Sequence, residues 1–365
     1  MIHRRRTRRL APDAAKRPAF TLVELLTVVF IISLLIGILV PSLSAARTAA
    51  KKAVSAKALK TIDVGLEMFK NDNASDFRQT NGYPPSFAHP PIPGYTFNAY
   101  EGQFPFLELK SESNPPVVYG AHWLPAMLMG VDHLGYVQKG SVPTNNNLKS
   151  SPWLWYTPNA AGPSEPIKRT PLYIDPGNTE TIRTKNLPGR EPLSVGNSLF
   201  PNWDDMNELP VIVDGFDYPI LYYVANKHGR TTNMVADKHR PDNDYSGGGA
   251  QDVGVPYYFH QDNEGFTGND TDTGWDFDGV PHAMGKSGAD LSGRDIVLPQ
   301  NRDTFARWII DRKVFKNFET MNASDLVSAP LKPVNAESYI LISPGADGRY
   351  GSNDDVSNMP PFTDD

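Results

Sequence analysis

The sequence predicts an α+β fold: one long N-terminal helix, apolar in its first half and amphipathic in its second, packed on a small antiparallel sheet with large loop-rich insertions. Three features predict it. From Leu25 to Val40 the only polar side chains are Thr27 and Ser33, and with Leu22 and Val23 the run reaches the roughly 20 residues that cross a bilayer as a helix. Beyond Pro41, Val54, Ala58, Ile62, Leu66 and Phe69 recur at near-fourfold spacing. Val211 to Val213, Ile220 to Val224 and the stretch YILIS are β-branched or aromatic runs beside Asp and Gly turn formers.

Composition agrees with a loop-rich body. The 365 residues include 33 prolines and 29 glycines against 39% hydrophobic residues, more turn formers than a helical bundle tolerates. With no cysteine, disulfides, thiol nucleophiles and thiolate metal sites are excluded. The net charge of −6 hides an asymmetry: Arg4, Arg5, Arg6, Arg8, Arg9, Lys16 and Arg17 face only Asp13 in the first 19 residues, which leaves −12 on the rest. An acidic body argues against nucleic acid as a partner and for affinity toward cations.

The basic leader, the apolar run and a single acid at Glu24 belong together. A signal peptide has a shorter apolar core with its cleavage site after it, whereas here Ala19 precedes the run. Seven basic residues before the span, against Arg47, Lys51, Lys52, Lys57 and Lys60 after it, favour a cytoplasmic leader and a body on the outer side. An unpaired carboxylate in hydrocarbon is costly, so Glu24 either has a partner or reaches the headgroups.

The stretch Ala19-Phe20-Thr21-Leu22-Val23-Glu24, with the apolar run and Pro41, resembles the class III signal of type IV pilins and type II secretion pseudopilins. The resemblance is nearest to the major pseudopilin. It implies that a prepilin peptidase cuts between Ala19 and Phe20 and methylates the new Phe20 amine. It also implies that Glu24 neutralises the amine of a neighbouring subunit during assembly. The family usually carries glycine where this chain has Ala19. The resemblance further implies a single-pass protein of the bacterial inner membrane with its head in the periplasm. Implied partners are copies of itself, other pseudopilins or pilins, the prepilin peptidase, the inner-membrane assembly platform and lipid. The organisation expected is a leader over 1–19, a transmembrane and assembly helix over 20–41, and an amphipathic helix over 42–70. A loop-rich head with a first hairpin follows over 71–224, then an insertion over 225–335 and a C-terminal strand and acidic loop over 336–365.

Pro41 removes a helical donor and is expected to kink or melt the helix near Gly37. A helix from Phe20 to Lys70 would be about 75 Å long. It should stop before the turn formers around Gly82, Tyr83, Pro84 and Pro85. Asp214, Gly215 and Asp217 predict a hairpin between the two central runs, and Phe305, Trp308, Ile309 and Phe315 mark a helix inside the insertion.

In SPGADGRYGSNDDV, Asp347, Asp354 and Asp355 supply carboxylates and the glycines allow carbonyls to converge, the donor chemistry of a Ca2+ site. The stretch does not match the helical calcium loop. It is similar to the calcium loop of major pseudopilins, in which the residue at Ser343 would add a backbone oxygen. A solvated acidic turn is the competing reading. Asp262, Asp270, Asp272, Asp276 and Asp278 offer a second acidic stretch, more often solvated than metal-binding. His228, His239, His260 and His282 form no H-E-x-x-H pair, and no G-x-S-x-G elbow, phosphate loop or dinucleotide fingerprint occurs. The reading is a structural filament subunit and not an enzyme. A membrane-anchored extracytoplasmic binding protein that uses the same leader is the alternative.

Overall fold

The structure, a computed structural model, describes residues 21–75, 77–86, 119–130, 133–136, 169–187, 209–225, 227, 257–258, 260–268, 282, 284, 305–309 and 333–359. The chain divides into two units, Met1–Ala49 and Ala50–Asp365. Helix α1, Leu22–Asn73, contributes to both.

In the first unit α1 is a helix of exposed apolar side chains, and the 18-residue window that is long and apolar enough to cross a membrane is wholly unburied. A core helix of a soluble domain would bury that window. The melting expected near Gly37 does not occur, since α1 is unbroken through Gly37 and Pro41. Proline deletes a single i→i−4 bond, and the bonds on either side suffice to hold the helix.

In the second unit the buried positions of α1 are Ser55, Ala58, Leu59, Ile62, Gly65, Leu66, Phe69 and Asn73. Four of the five residues expected on this face are there. Val54 is not: it is 54% exposed, and Ser55 takes its place. Polar chemistry decides the rotation, because the Ser55 hydroxyl donates to the Lys51 carbonyl at 3.2 Å and accepts the Gly215 N–H at 3.1 Å. Gly215 must come close to do so; a Cβ there would stand 2.3 Å from the Lys51 oxygen.

The strands among the described residues form two antiparallel sheets. Strands β1, Thr181–Arg183, and β2, Pro210–Ile212, make one; β3, Leu221–Val224, β4, Tyr339–Ser343, and β5, Val356–Ser357, make the other in the order β3-β4-β5. The expected hairpin is therefore divided. Its arms touch at the Val213–Pro219 bridge and through Ile220 N–H to the Ile212 carbonyl at 2.9 Å, but each arm pairs onward with a different strand. Pro219 has no N–H to continue a ladder, which accounts for the division.

The strand alternation sends side chains to two cores. Ile212, Ile220, Tyr222, Val224, Tyr339 and Leu341 join the α1 face and helix α2, Gly120–Leu128, in the first. Val211, Val213, Leu221, Tyr223, Ile340 and Ile342 join the second. Phe266 of the short helix α3, Glu264–Thr267, and Phe305 and Trp308 of α4, Phe305–Trp308, pack there with Tyr258, Met284 and Ile309. Phe305, Trp308 and Ile309 are buried as the sequence predicts, while Phe315 lies outside the described residues.

Asp214 holds the turn between β2 and β3. Buried to 2% exposure, its Oδ1 accepts the Phe216 and Tyr218 N–H groups at 2.8 and 3.0 Å, and its Oδ2 accepts the Ser343 hydroxyl at 2.5 Å. Burial raises its pKa above the ordinary carboxylate value despite these bonds. The folded state thus binds this proton more tightly than the unfolded one. The resulting stability is fully present below the unfolded pKa and is lost as pH rises through the raised folded value. Asp214→Asn, which keeps an acceptor for both N–H groups, should flatten this component of the pH dependence in thermal melts between about pH 4 and 8. Asp214→Ala should lower stability by about 2–4 kcal/mol, because it strands two N–H groups and a hydroxyl.

Candidate functional site: the helix start and the C-terminal acidic loop

Ala19 and Phe20, the residues expected to flank a cleavage, lie outside the described residues, as does the basic leader. At Thr21 the helix is capped reciprocally. The Glu24 N–H donates to Thr21 Oγ1 at 3.2 Å, and the Glu24 carboxylate accepts both the Thr21 N–H at 2.9 Å and the Thr21 hydroxyl at 2.8 Å through Oε2. This is a capping box, in which an N-cap threonine and a glutamate three residues on satisfy each other's backbone donors. Its signature, Thr21-x-x-Glu24 before an apolar run, stands in the sequence, and reading Glu24 only as an intermolecular partner passes over it. The carboxylate also suits the positive end of the helix dipole. Glu24 therefore has a role within its own chain.

The second group is the turn that follows β4. Three glycines in positive-φ conformations, Gly345, Gly348 and Gly351, bend it, and at Gly345 (φ +69°) a Cβ would stand 2.3 Å from the Asp354 carbonyl oxygen. The loop brings Asp347, Asp354 and Asp355 together around its own donors. Asp354 Oδ2 accepts the Ala346 N–H at 2.7 Å, Asp355 Oδ2 accepts the Gly351 N–H at 2.8 Å, and Asp347 Oδ1 accepts the Arg349 N–H at 2.9 Å. The Ser352 hydroxyl lies between two of the acids, 2.6 Å from Asp354 Oδ1 and 3.3 Å from Asp355 Oδ1. Lys52 of α1 approaches Asp354 Oδ2 at 3.9 Å, with both side chains partly exposed, so this ion pair adds little by itself.

The three carboxyls differ electrostatically. Burial first, and then the charge of Asp347, pushes Asp355 well above the ordinary range. Asp347 is raised by burial and by the Asp354 charge. Burial also works upward on Asp354, but Ser352, the Ala346 N–H and the Lys52 charge outweigh it, and the net shift is downward. Asp354 is the acid whose charge the protein compensates best. In this arrangement no group of three or more His, Asp or Glu among the described residues is disposed to hold a metal ion. The acid oxygens of the loop are directed at backbone N–H groups instead.

Ser343, expected to offer its backbone oxygen, is a fully buried β4 residue whose hydroxyl binds Asp214. Of the second acidic stretch, Asp270, Asp272, Asp276 and Asp278 lie outside the described residues. Asp262 is buried, not solvated, and takes the Ser86 hydroxyl in a short hydrogen bond. His228 and His239 lie outside the described residues; His282 is buried and accepts the Tyr350 N–H at 3.2 Å.

No family model, curated protein or solved structure matches this chain.

Thr21→Val should remove the hydroxyl half of the capping box and cost the helix start about 1 kcal/mol. Amide hydrogen exchange of the full chain in detergent micelles should then be faster at residues 22–25 and unchanged in the half of α1 that packs on the sheet. Uniformly unchanged exchange would show that the cap contributes nothing.

Proposed function

We propose that the chain is a structural subunit of a pilin-like filament, a type II secretion pseudopilus or a related type IV pilus-like assembly. Prepilin peptidase matures it, and α1 anchors it as a single-pass protein of the bacterial inner membrane with its head in the periplasm. The supporting observation is the start of α1: a helix from Leu22 whose apolar window is wholly exposed, preceded in the sequence by Ala19-Phe20-Thr21 and carrying Glu24 in its first turn. A helix of this kind needs lipid before assembly and other helices after it. Cleavage before Phe20 creates an ammonium within about one turn of Glu24. Its Oε2 serves the cap, and a carboxylate has lone pairs to spare for the amine of a neighbouring subunit. In hydrocarbon that pairing removes two isolated charges together, so each subunit's addition neutralises the one before it.

Mass spectrometry of the mature protein should find an N-methylated phenylalanine at Phe20, and an intact leader would overturn the reading. Glu24→Ala should still be inserted and cleaved yet fail to enter filaments. Crosslinking through α1 separates this reading from a membrane-anchored binding protein, because a filament subunit crosslinks to copies of itself and a solitary binding protein does not.

The C-terminal loop is the proposed Ca2+ site. Its donors are hard oxygens, and Asp347 and Asp355 carry negative charge that their surroundings disfavour, a situation a divalent cation relieves. Bound Ca2+ would add counter-charge at Asp347, Asp354 and Asp355 and fix the turn that joins β4 to β5. At about 100 times Kd the linkage is worth roughly 2.7 kcal/mol. The full chain in detergent should therefore melt several degrees higher in millimolar Ca2+ than in chelator, with Mg2+ less effective. The Asp354→Ala, Asp355→Ala double variant should lose most of this difference. Identical melts with and without Ca2+ would make the loop a solvated turn.

A further inference from the structure

Between Glu24 and Asp63 the chain carries no acid, and every charge in that interval is basic: Arg47, Lys51, Lys52, Lys57 and Lys60. Their surroundings sort them. Lys60 donates to Asp63 at 2.7 Å, and Lys52 stands 3.9 Å from Asp354. Arg47 and Lys51 are exposed and one helical turn apart on the same face of α1, and among the described residues neither is in an ion pair. The Lys51 ammonium stands 5.3 Å from the Phe216 ring centroid, a contact that uses none of its three donors. Height along the helix sorts them again. At 1.5 Å per residue, Arg47 is about 10 Å and Lys51 about 16 Å beyond Val40, where the apolar run ends, whereas Lys57 is about 25 Å beyond it. The headgroup layer adds about 5–7 Å to each side of the hydrocarbon, and its charge acts over about 8 Å more at physiological salt. Helical side chains lean toward the N-terminus, here toward the apolar run, and long basic side chains extend to meet polar headgroups. Arg47 and Lys51 therefore come within reach of lipid phosphates, and Lys57 does not.

We propose that Arg47 and Lys51 form a basic patch that binds the phosphate groups of anionic phospholipids where α1 leaves the bilayer. The inference rests on the apolar half of α1 being a membrane span, and on nothing about cleavage or filaments. The guanidinium of Arg47 can engage a phosphate through two parallel N–H groups, while Lys51 adds a point charge one turn further out. Basic residues on the outer side of a span work against the orientation that the leader sets. Anionic headgroups give those two charges a stabilising partner at the level where the helix holds them. Lys52 is the exception that the geometry explains, because Asp354 already compensates it.

The test is residue-resolved lysine labelling of the full chain in lipid nanodiscs, made of phosphatidylcholine alone or mixed equally with phosphatidylglycerol. An uncharged acylating reagent is applied briefly, and mass spectrometry reads Lys51 against Lys57 in the same molecule, so the basic leader does not enter the ratio. In the anionic discs Lys51 should be acylated several-fold more slowly relative to Lys57 than in the neutral ones, and high salt should restore the ratio. Arg47→Gln should shrink the protection of Lys51. A ratio that does not depend on the lipid overturns the proposal, and one that is low in both lipids assigns Lys51 to a protein partner and overturns it too. Protection that Arg47→Gln leaves intact overturns the shared patch. Resistance of the chain to alkaline extraction from vesicles tests the span by itself, so failure of the lipid contact and failure of the span are told apart.

Discussion

The second unit is organised around a buried carboxylate. Asp214 ties the turn after β2 to its own backbone and to Ser343 at the end of β4, while its neighbour Gly215 reaches Ser55 on α1. Helix, hairpin turn and C-terminal strand thus meet within a few residues. Lys51 strengthens the joint by standing 5.3 Å from the Phe216 ring centroid. A carboxylate is an expensive choice for such a place, as its raised pKa records. Its advantage is acceptor capacity: two oxygens satisfy three donors, two from its own turn and one from β4, which no apolar side chain could do.

The far end of α1 is secured by the same logic with tyrosines. Tyr83 donates to Glu67 at 2.7 Å while Lys70 donates to Tyr83 at 3.0 Å, and Tyr339 donates to Asp63 at 2.5 Å. The two rings meet edge to face with centroids 4.9 Å apart. Asp63 and Glu67 are one helical turn apart, so two hydroxyls fix the rotation of α1 that the apolar stripe leaves loose. Stripes set which face is inward to within a residue or so; directional bonds at Ser55, Asp63 and Glu67 set the rest.

This division explains what was legible in the sequence. Ala58, Ile62, Leu66 and Phe69 could be read because apolar burial is periodic and local. Val54 was misassigned because a valine beside a serine looks like the core residue, and the reason for the reverse lies 160 residues away in the N–H of Gly215. The strands at Val211–Val213, Ile220–Val224 and Tyr339–Ser343 were visible as runs, but their partners were not, since pairing β3 with β4 spans more than 100 residues without local signal. At the helix start, Thr21 and Glu24 stood in an open capping pattern. In the acidic loop the three acids could be named, whereas the part played by Ser352 and the unequal fates of Asp347, Asp354 and Asp355 depend on burial and geometry that spacing does not encode.

The strand runs contained one further signal. A sheet with one wet face alternates apolar and polar residues, while a sheet covered on both faces is apolar at every position. Val211, Ile212 and Val213 are all buried, as are Ile220 through Val224 and Tyr339 through Ile342. Helix α1 can cover only one parity of these runs: Ile212, Tyr222, Val224, Tyr339 and Leu341 share a core with it. Val211, Leu221, Tyr223, Ile340 and Ile342 require a second layer, and Tyr258, Phe266, Met284, Phe305, Trp308 and Ile309 supply it. At about 1.5–3 kcal/mol for each large apolar side chain withdrawn from water, leaving five such residues on an uncovered face would forfeit an amount comparable to the whole net stability of a typical domain. The segments between β3 and β4 are therefore integral to this fold: a unit that ended at α1 and the sheet would expose a continuous apolar face, and these residues close it.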